Sequence, residues 1–211
     1  PEMEALAKVV NGELSLYIEV NAAKDIQNAI AWVQEREYKH IVLTGVAEGW
    51  RVADEIAAAG FPVIAGPVQS IPTRQSDRYD MAYANPGAMA KAGVKVAIRT
   101  GDTENSRNLP YHAGFAAAYG MGREEALKAI TINAAEIMGI GDQIGSIEVG
   151  KKANIFVSTG DPFETSTKIL DVYIDGYKIP MTSRQIRLYD EFLNRTPGVD
   201  KTKPVIDIKK K

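Results

Sequence analysis

Apolar and polar residues alternate in blocks along the first two-thirds of the chain, and the blocks predict strands followed by helices. Each predicted strand is a short, nearly continuous apolar run, which is typical of a strand buried on both faces. Between these runs, apolar residues three or four positions apart predict amphipathic helices. The predicted strands are 14–20, 40–44, 62–66 and 94–99, and the predicted helices are 22–37, 48–59, one beginning at Asn85-Pro86 and one beginning at Pro110. This alternation predicts a parallel sheet with right-handed crossovers.

Turn and cap residues define several boundaries. Gly60 is expected to end the second helix as a C′ glycine, and Asn85-Pro86 resembles an N-cap followed by proline at the first helical position. After a predicted helix over 123–138, the pattern changes to β-rich stretches at 145–157 and 169–179. Within the second stretch Asp175-Gly176 predicts a hairpin turn. The chain is then expected to end with an amphipathic helix over 184–194 and a frayed, charged tail over 201–211.

Composition excludes several classes of function. The 211 residues carry a net charge of −2, and no apolar run approaches the length of about 18 residues that a transmembrane helix needs, so neither nucleic acid nor membrane is an expected partner. The absence of cysteine excludes disulfides, thiolate zinc sites and a cysteine nucleophile. Two histidines are too few for a histidine-rich metal centre. The opening Pro-Glu-Met-Glu lacks the features of a signal peptide, so the expected location is cytoplasmic; for a fragment of a longer parent the location is unknown.

The second half of the chain carries a long, ordered motif. The stretch GREEALKAITINAAEIMGI, followed by IGSIEVGKKANIFVSTGDPFE and VYIDGYKI, resembles the C-terminal part of the amidohydrolase superfamily. It is most similar to the imidazolonepropionase-like and prolidase-like metal-dependent hydrolases. The residues that match the family pattern are Thr131, Asn133, Ala134, Gly145, Ser146, Glu148, Gly150, Lys151 and Ala153. Asn154 stands where aspartate is usual, and EGWRVADEIAAAGFPVIAGP resembles the sixth and seventh strands of the family's barrel.

The resemblance implies an α/β fold that is half of a TIM-like (β/α)8 barrel, strands five to eight, followed by C-terminal β-sandwich strands and a terminal helix. The implied domains are a partial barrel over 1–140, a β-sandwich appendage over 141–182, and a C-terminal helix with a charged tail over 183–211. Half a barrel has two open sheet edges. We therefore expect a partner, either a missing N-terminal half-barrel or a second copy of the chain.

The family holds zinc or another divalent metal with ligands on its barrel strands, including an H-x-H pair on strand one, histidines on strands five and six, and an aspartate on strand eight. Carried onto this chain, the strand-five ligand falls on Glu19 and the strand-six ligand near Gly45. The strand-eight ligand falls on Gly101 or, after a slip of one residue, on Asp102. Three or four nitrogen and oxygen ligands cannot be assembled from these residues. The expectation for this chain alone is therefore no bound metal or other cofactor.

Catalytic and binding residues are expected where the strands end, because parallel α/β folds place their sites at the carboxyl ends of strands. Asp102 directly follows a strand and is the candidate general acid or base, although a turn or cap role in Gly-Asp-Thr explains it equally well. The remaining substrate-face candidates are Glu19, Glu48, Arg99, Asn105, Arg107 and His112.

Each candidate also has a structural alternative. Glu19 is either a cation ligand or a replaced ligand, and the arginines at 99 and 107 with Asn105 either clamp an anion or hold their own loop. His112 is expected to be a packed or surface histidine. The other histidine, His40, and the two tryptophans, Trp32 and Trp50, are expected to be structural.

Two hypotheses of function follow. The chain is the C-terminal portion of an amidohydrolase-like protein, related to hydrolases of amide, cyclic amide or peptide C–N bonds, and inactive and metal-free as this chain alone. If active, it would take a small-molecule or peptide substrate. Alternatively, it is a pseudoenzyme scaffold, or a module for small-molecule binding or assembly. A doubly wound small-molecule-binding domain is a third alternative.

Overall fold

The computed structural model describes residues 2–195 of the chain. The strands of its main sheet are β1 (Leu16–Val20), β2 (Ile41–Gly45), β3 (Val63–Ala65) and β4 (Val96–Ile98). They lie side by side in sequence order, and every neighbouring pair is parallel. The predicted strand–helix alternation is therefore confirmed. The doubly wound alternative is wrong, because the strand order contains no reversal.

Helices cover both faces of this sheet unequally. The helices are α1 (Glu2–Val10), α2 (Ala23–Glu35), α3 (Ala53–Ala59), α4 (Met81–Lys91), α5 (Leu109–Ala116), α6 (Arg123–Ala129), α7 (Ile132–Ile137) and α8 (Arg184–Arg195). Helices α2 to α6 pack against one face of the sheet and form the main hydrophobic core, whose fully buried members include Ile26, Leu43, Ile56 and Met89. Burial of these large side chains supplies most of the stabilisation of this unit.

Among the described residues, a helix covers the opposite face of the sheet, which we call the α7 face, at the end where the strands begin. There Ile137 of α7 packs on Val42 and Ala97. The amide of Asn133 donates a 3.0 Å hydrogen bond from Nδ2 to the carbonyl oxygen of Val96, which fastens α7 to β4. This contact gives a structural role to Asn133, one of the residues that match the family pattern.

A separate antiparallel sheet follows, formed by β5 (Ile155–Ser158), β6 (Ile169–Ile174) and β7 (Tyr177–Ile179). The predicted hairpin turn is confirmed, since Asp175 and Gly176 both have positive φ, as a type I′ turn requires. Residues 145–154 form turns and coil, so the expectation of β structure there was wrong. Gly145 and Gly150 take the positive φ that tight turns need.

Other boundaries differ from the expectations. Helix α4 begins at Met81 and contains Pro86 within it, so Asn85 is not its N-cap. The helix expected over 123–138 is two helices, because Thr131 has non-helical φ and ψ of −129° and −98°. Helix α1 was not predicted. Gly60 ends α3 with φ of 72°, as expected. The charged tail over 201–211 lies outside the described residues.

Within the described part of the chain, none of the helices combines the length and the apolar character needed to cross a membrane.

Candidate functional site

The parallel register brings the carboxyl ends of β1 to β4 to one edge of the sheet. The sequence-predicted residues lie at this edge, but the structure divides them into separate groups. Glu19 pairs with Arg99, and Asp102 pairs with Asn105. Glu48 and His112 instead hold the loop that follows β3. Arg107 is exposed and makes no side-chain hydrogen bond or ion pair within residues 2–195.

An ion pair crosses the α7 face. Arg99 donates from Nη2 to Oε1 of Glu19 at 2.7 Å and from Nη1 to Oε2 at 3.5 Å, and its Nε donates to the carbonyl oxygen of Gly66 at 3.3 Å. Since β1 and β4 are the two outer strands, this pair links opposite edges of the sheet. The hydrogen bond from Arg99 lowers the pKa of Glu19, which is therefore a carboxylate at neutral pH.

Thr44 lies beside this ion pair. It is the partner of Glu19 in the β1–β2 register, so both side chains lie on the α7 face. Only 8% of Thr44 is exposed, yet its hydroxyl has no hydrogen-bond partner within residues 2–195. Among the described residues, Oδ1 of Asp80 is the one fully buried side-chain polar atom without a partner, so the Thr44 hydroxyl still reaches solvent.

Glu48 is the buried centre of a cluster that we call the Glu48 clamp, formed by Glu48, Arg51, Arg74 and Asp77. The Glu48 carboxylate accepts hydrogen bonds from Nε and Nη2 of Arg74 at 2.5 and 2.7 Å, and from the backbone N–H of Ala23 at 2.9 Å. Arg51 forms an ion pair with Asp77. The hydrogen bond from Arg74 lowers the pKa of Glu48 and outweighs its burial. Glu48 is only 1% exposed, so it anchors the loop rather than facing a substrate.

His112 anchors the beginning of the same loop. Its Nδ1 accepts hydrogen bonds from the backbone N–H groups of Val68 at 3.1 Å and Gln69 at 3.4 Å. An accepting Nδ1 places the proton of the neutral ring on Nε2. The side chain is buried, and burial lowers the pKa of His112, so it is neutral at pH 7. These contacts agree with the packed interpretation.

Asp102 is part of an exposed turn. Its Oδ1 accepts from the backbone N–H of Asn105 and its Oδ2 from Nδ2 of the same residue, both at 2.9 Å. The backbone hydrogen bond from Asn105 is the main cause that lowers the pKa of Asp102. The turn interpretation accounts for both carboxylate oxygens. A role of Asp102 as general acid or base stays a prediction.

A cleft of about 180 Å³ lies under the loop after β3, between the ends of β2 and β3 and the beginning of α4. Asn85 forms part of its wall, and its side chain is fully used: Oδ1 accepts from the N–H of Trp50 at 2.8 Å, and Nδ2 donates to the carbonyl oxygen of Val46 at 2.9 Å. The Arg51 guanidinium stacks on the Trp50 ring, 4.0 Å from its centroid. The cleft has room for a small molecule only.

The residues at the family's ligand positions do not fit its metal site. Glu19 is paired with Arg99, and Gly45 and Gly101 have no side chain. A Cβ on Gly45 would lie 2.5 Å from Oδ1 of Asn21. Both carboxylate oxygens of Asp102 accept hydrogen bonds from Asn105. Over residues 2–195, no three His, Asp or Glu side chains come together in a way that suits a metal ion.

Several residues of this region were not found from the sequence. Arg74 and Asp77 lie in a loop without periodicity, and each meets its partner from 26 residues away. Thr44 was read only as part of an apolar strand. No local pattern marks these residues, because their environment comes from tertiary packing.

Known proteins resemble this chain over part of their length. Imidazolonepropionase of Fusobacterium nucleatum is 42% identical over 79 residues, which cover 36% of this chain and 19% of the relative. A 5-methylthioadenosine/S-adenosylhomocysteine deaminase of Thermoanaerobacter pseudethanolicus is 27% identical, over 90% of this chain and 51% of the relative. The crystal structure of an amidohydrolase from Thermotoga maritima superposes with a TM-score of 0.77 at 29% identity, over 84% of this chain and 46% of that one.

The chain thus spans at most about half the length of these relatives. The profile of the amidohydrolase family matches residues 64–179, which is more than half of the chain and includes β4 and the second sheet. The α/β fold with its parallel sheet agrees with the structural neighbour from Thermotoga maritima. On this match, the chain belongs to the amidohydrolase family.

Proposed function

We propose that β1 to β4 are strands five to eight of a (β/α)8 barrel, and that β5 to β7 are strands of the family's β-sandwich. Two observations support this assignment. The four strands are neighbours in sequence order with α2 to α6 on one face, as consecutive units of a barrel are. The chain also covers 46% of the Thermotoga maritima amidohydrolase.

We further propose that this chain is a metal-free binding module derived from hydrolases of C–N bonds. The observation that carries the proposal is the Glu19–Arg99 ion pair. Glu19 stands at the strand-five ligand position, and its negative charge is compensated by a guanidinium rather than by a metal cation. Gly45, at the strand-six position, supplies no ligand atom.

The metal content of the purified 211-residue chain tests this proposal. The chain is dialysed against buffer containing zinc and then against metal-free buffer, and zinc is measured by inductively coupled plasma mass spectrometry. We expect far less than one zinc per chain, with the same residual value in a Glu19→Ala variant. Zinc near one per chain would contradict the proposal, and its loss in Glu19→Ala would identify Glu19 as a ligand.

Family membership favours a second candidate function. Relatives of the chain include imidazolonepropionases and an N-substituted formamide deformylase of Arthrobacter pascens. On this hypothesis the metal ligands come from an N-terminal half-barrel that pairs with the edges of β1 and β4, and the completed barrel hydrolyses a small amide, cyclic amide or peptide through metal-activated water. A second copy of the chain is the alternative partner at these edges.

Reconstitution distinguishes the two functions. The chain is mixed with a polypeptide that supplies strands one to four of a related amidohydrolase, including its H-x-H pair, and hydrolysis of amide substrates is followed with added zinc. The binding-module proposal expects no zinc-dependent hydrolysis. Zinc-dependent turnover that is lost in Asp102→Ala would establish the hydrolase function and the catalytic role of Asp102 together.

A further inference from the structure

We propose that the α7 face binds a small monocarboxylate, and that Arg99 receives it by exchanging the carboxylate of Glu19 for that of the ligand. The inference rests on the proposed absence of metal from this face. It names a ligand class and the residues that recognise it.

Arg99 has the geometry of a carboxylate receptor. The hydrogen bond from its Nε to the carbonyl oxygen of Gly66 fixes the plane of the guanidinium. The two terminal nitrogens then form a fork, which matches the two oxygens of a carboxylate. Glu19 uses this fork unevenly, with contacts of 2.7 and 3.5 Å. The Arg99 side chain is 30% exposed, so the fork is accessible.

Exchange of the carboxylate costs little. The Glu19 side chain is 60% exposed and that of Arg99 is half-buried, so water screens the ion pair and weakens it. After exchange Glu19 has free access to water. Water also weakens the pair with an incoming carboxylate, and association costs translational and rotational freedom, so the gain in binding has to come from further contacts.

Thr44 and Ile64 supply that gain. The Thr44 hydroxyl lies on the same face as Glu19, reaches solvent and has no protein partner among the described residues, so it can donate to a ligand oxygen. Ile64 is the neighbour of Thr44 across the β2–β3 register and places an apolar side chain on the same face. A carboxylate with a short apolar remainder matches this combination of groups.

The charge of Glu19 favours a ligand with one carboxylate over a ligand with two. The displaced Glu19 remains next to the site and would repel a second negative group. The other ion pair on this face, Lys95 with Glu136, joins β4 to α7 at the opposite end of the strands. Among the described residues, Arg99 is thus the cation that directly follows a strand of the sheet on this face, whereas Arg107 lies farther along the loop after β4.

Binding of butyrate to the full chain tests the inference, with butyramide as the uncharged control of the same shape. Isothermal titration calorimetry or saturation-transfer NMR is run in a low-chloride buffer. The neutral chelator 1,10-phenanthroline is present, because carboxylate chelators would compete. We expect butyrate to bind and butyramide not to bind.

Substitutions of the two partners of the ion pair are expected to change butyrate binding in opposite directions. Glu19→Gln frees Arg99 and is expected to tighten butyrate binding about two- to five-fold, which corresponds to the strength of an exposed ion pair. Arg99→Gln is expected to abolish binding. Thr44→Val, which keeps the shape and removes the hydroxyl, is expected to weaken binding about two- to ten-fold.

If the ion pair had only a structural role, Glu19→Gln and Arg99→Gln would change butyrate binding in the same direction. Equal effects of Glu19→Gln and Arg99→Gln, equal binding of butyramide, or no binding by wild type and Glu19→Gln would each overturn the inference. Glu19→Gln alters an exposed side chain and keeps the test valid if Arg99→Gln fails to fold. Zinc in the metal assay would contradict the proposed function, whereas absent zinc together with absent butyrate binding would contradict only this inference.

Discussion

Gly45 shows how the backbone of a single residue excludes a side chain. It has φ of 80°, and a Cβ at this position would lie 2.5 Å from Oδ1 of Asn21. Gly45→Ala should therefore lower the free energy of unfolding by about 2–4 kcal/mol, from backbone strain and steric overlap together. Urea denaturation followed by circular dichroism measures the loss.

Gly60 is the matched control for this prediction. Its φ is 72°, but no atom lies within 4 Å of the place of its Cβ. Gly60→Ala should cost only the backbone strain, about 1 kcal/mol. Adding Asn21→Ala to Gly45→Ala should recover part of the loss. Equal costs for the two glycine variants would show that the contact with Asn21 is unimportant.

His112 makes stability depend on pH in a predictable direction. Burial lowers its pKa in the folded chain from the ordinary value of 6.5. As the pH falls below 6.5, the unfolded chain therefore binds a proton before the folded chain does, and folding stability decreases. Protonation also turns Nδ1 from an acceptor into a donor that faces the N–H of Val68.

The variant His112→Asn tests this dependence, because its Oδ1 can accept from Val68 but does not titrate. Urea denaturation at pH 7.5 and pH 5.5 should give wild type a larger loss of stability on acidification than the variant. His40→Gln replaces an exposed histidine and should lose as much stability on acidification as wild type does. A wild-type loss no larger than that of His112→Asn would contradict the role of His112.

At the scale of elements, the Glu48 clamp holds the loop after β3. Arg74→Met keeps the aliphatic stem but leaves the buried Glu48 carboxylate with fewer donors. We expect a loss of about 1–3 kcal/mol in unfolding free energy, less than for a fully buried pair because the Arg74 side chain is 52% exposed. The loop should also be cut faster by thermolysin near Ile71, which is 86% exposed.

Lys128→Met is the control for an exposed ion pair. Lys128 contacts Glu124 and Glu125 on the surface of α6, and its loss should change stability by less than about 0.5 kcal/mol. Thermolysin cleavage should stay at the wild-type rate. If Arg74→Met behaved like Lys128→Met in both measurements, the loop would not depend on the clamp.

The strands could be predicted from the sequence because each is a run of apolar residues, and apolar side chains are buried in a folded protein. The start of α4 could not. Asn85-Pro86 has the composition of a helix start, but the Asn85 side chain binds the backbone of Trp50 and Val46 instead of capping a helix. That role depends on segments about 35 to 39 residues away, which no local pattern reveals.

The candidate site shows the same limit. Its location at the carboxyl ends of the strands was predictable from parallel-sheet topology, and so were Glu19 and Arg99 as members of it. Their pairing across 80 residues was not, because it requires the register of all four strands. Glu48 was expected on the substrate face, whereas packing against Ala23 and Arg74 buries it.

For the whole molecule, the outer strands of the main sheet determine how it associates. The edges of β1 and β4 have no neighbouring strand within residues 2–195, and unpaired edges favour association. Apolar side chains near β1 are 42–62% exposed, namely those of Leu6, Val10, Leu14 and Tyr17. We therefore expect the purified chain to self-associate when no other half-barrel is present.

Light scattering coupled to size-exclusion chromatography tests this expectation over a range of concentrations. The wild-type mass should rise above the 23.0 kDa of one chain as concentration increases. Val10→Lys places a charge at an exposed apolar position at the end of α1, shortly before β1 in the chain, and should shift the mass toward that of one chain. Tyr177→Lys, in the second sheet at a position that is 75% exposed against 62% for Val10, should not. A chain that stays monomeric at every concentration, or equal effects of the two lysine variants, would show that the β1 edge does not direct association.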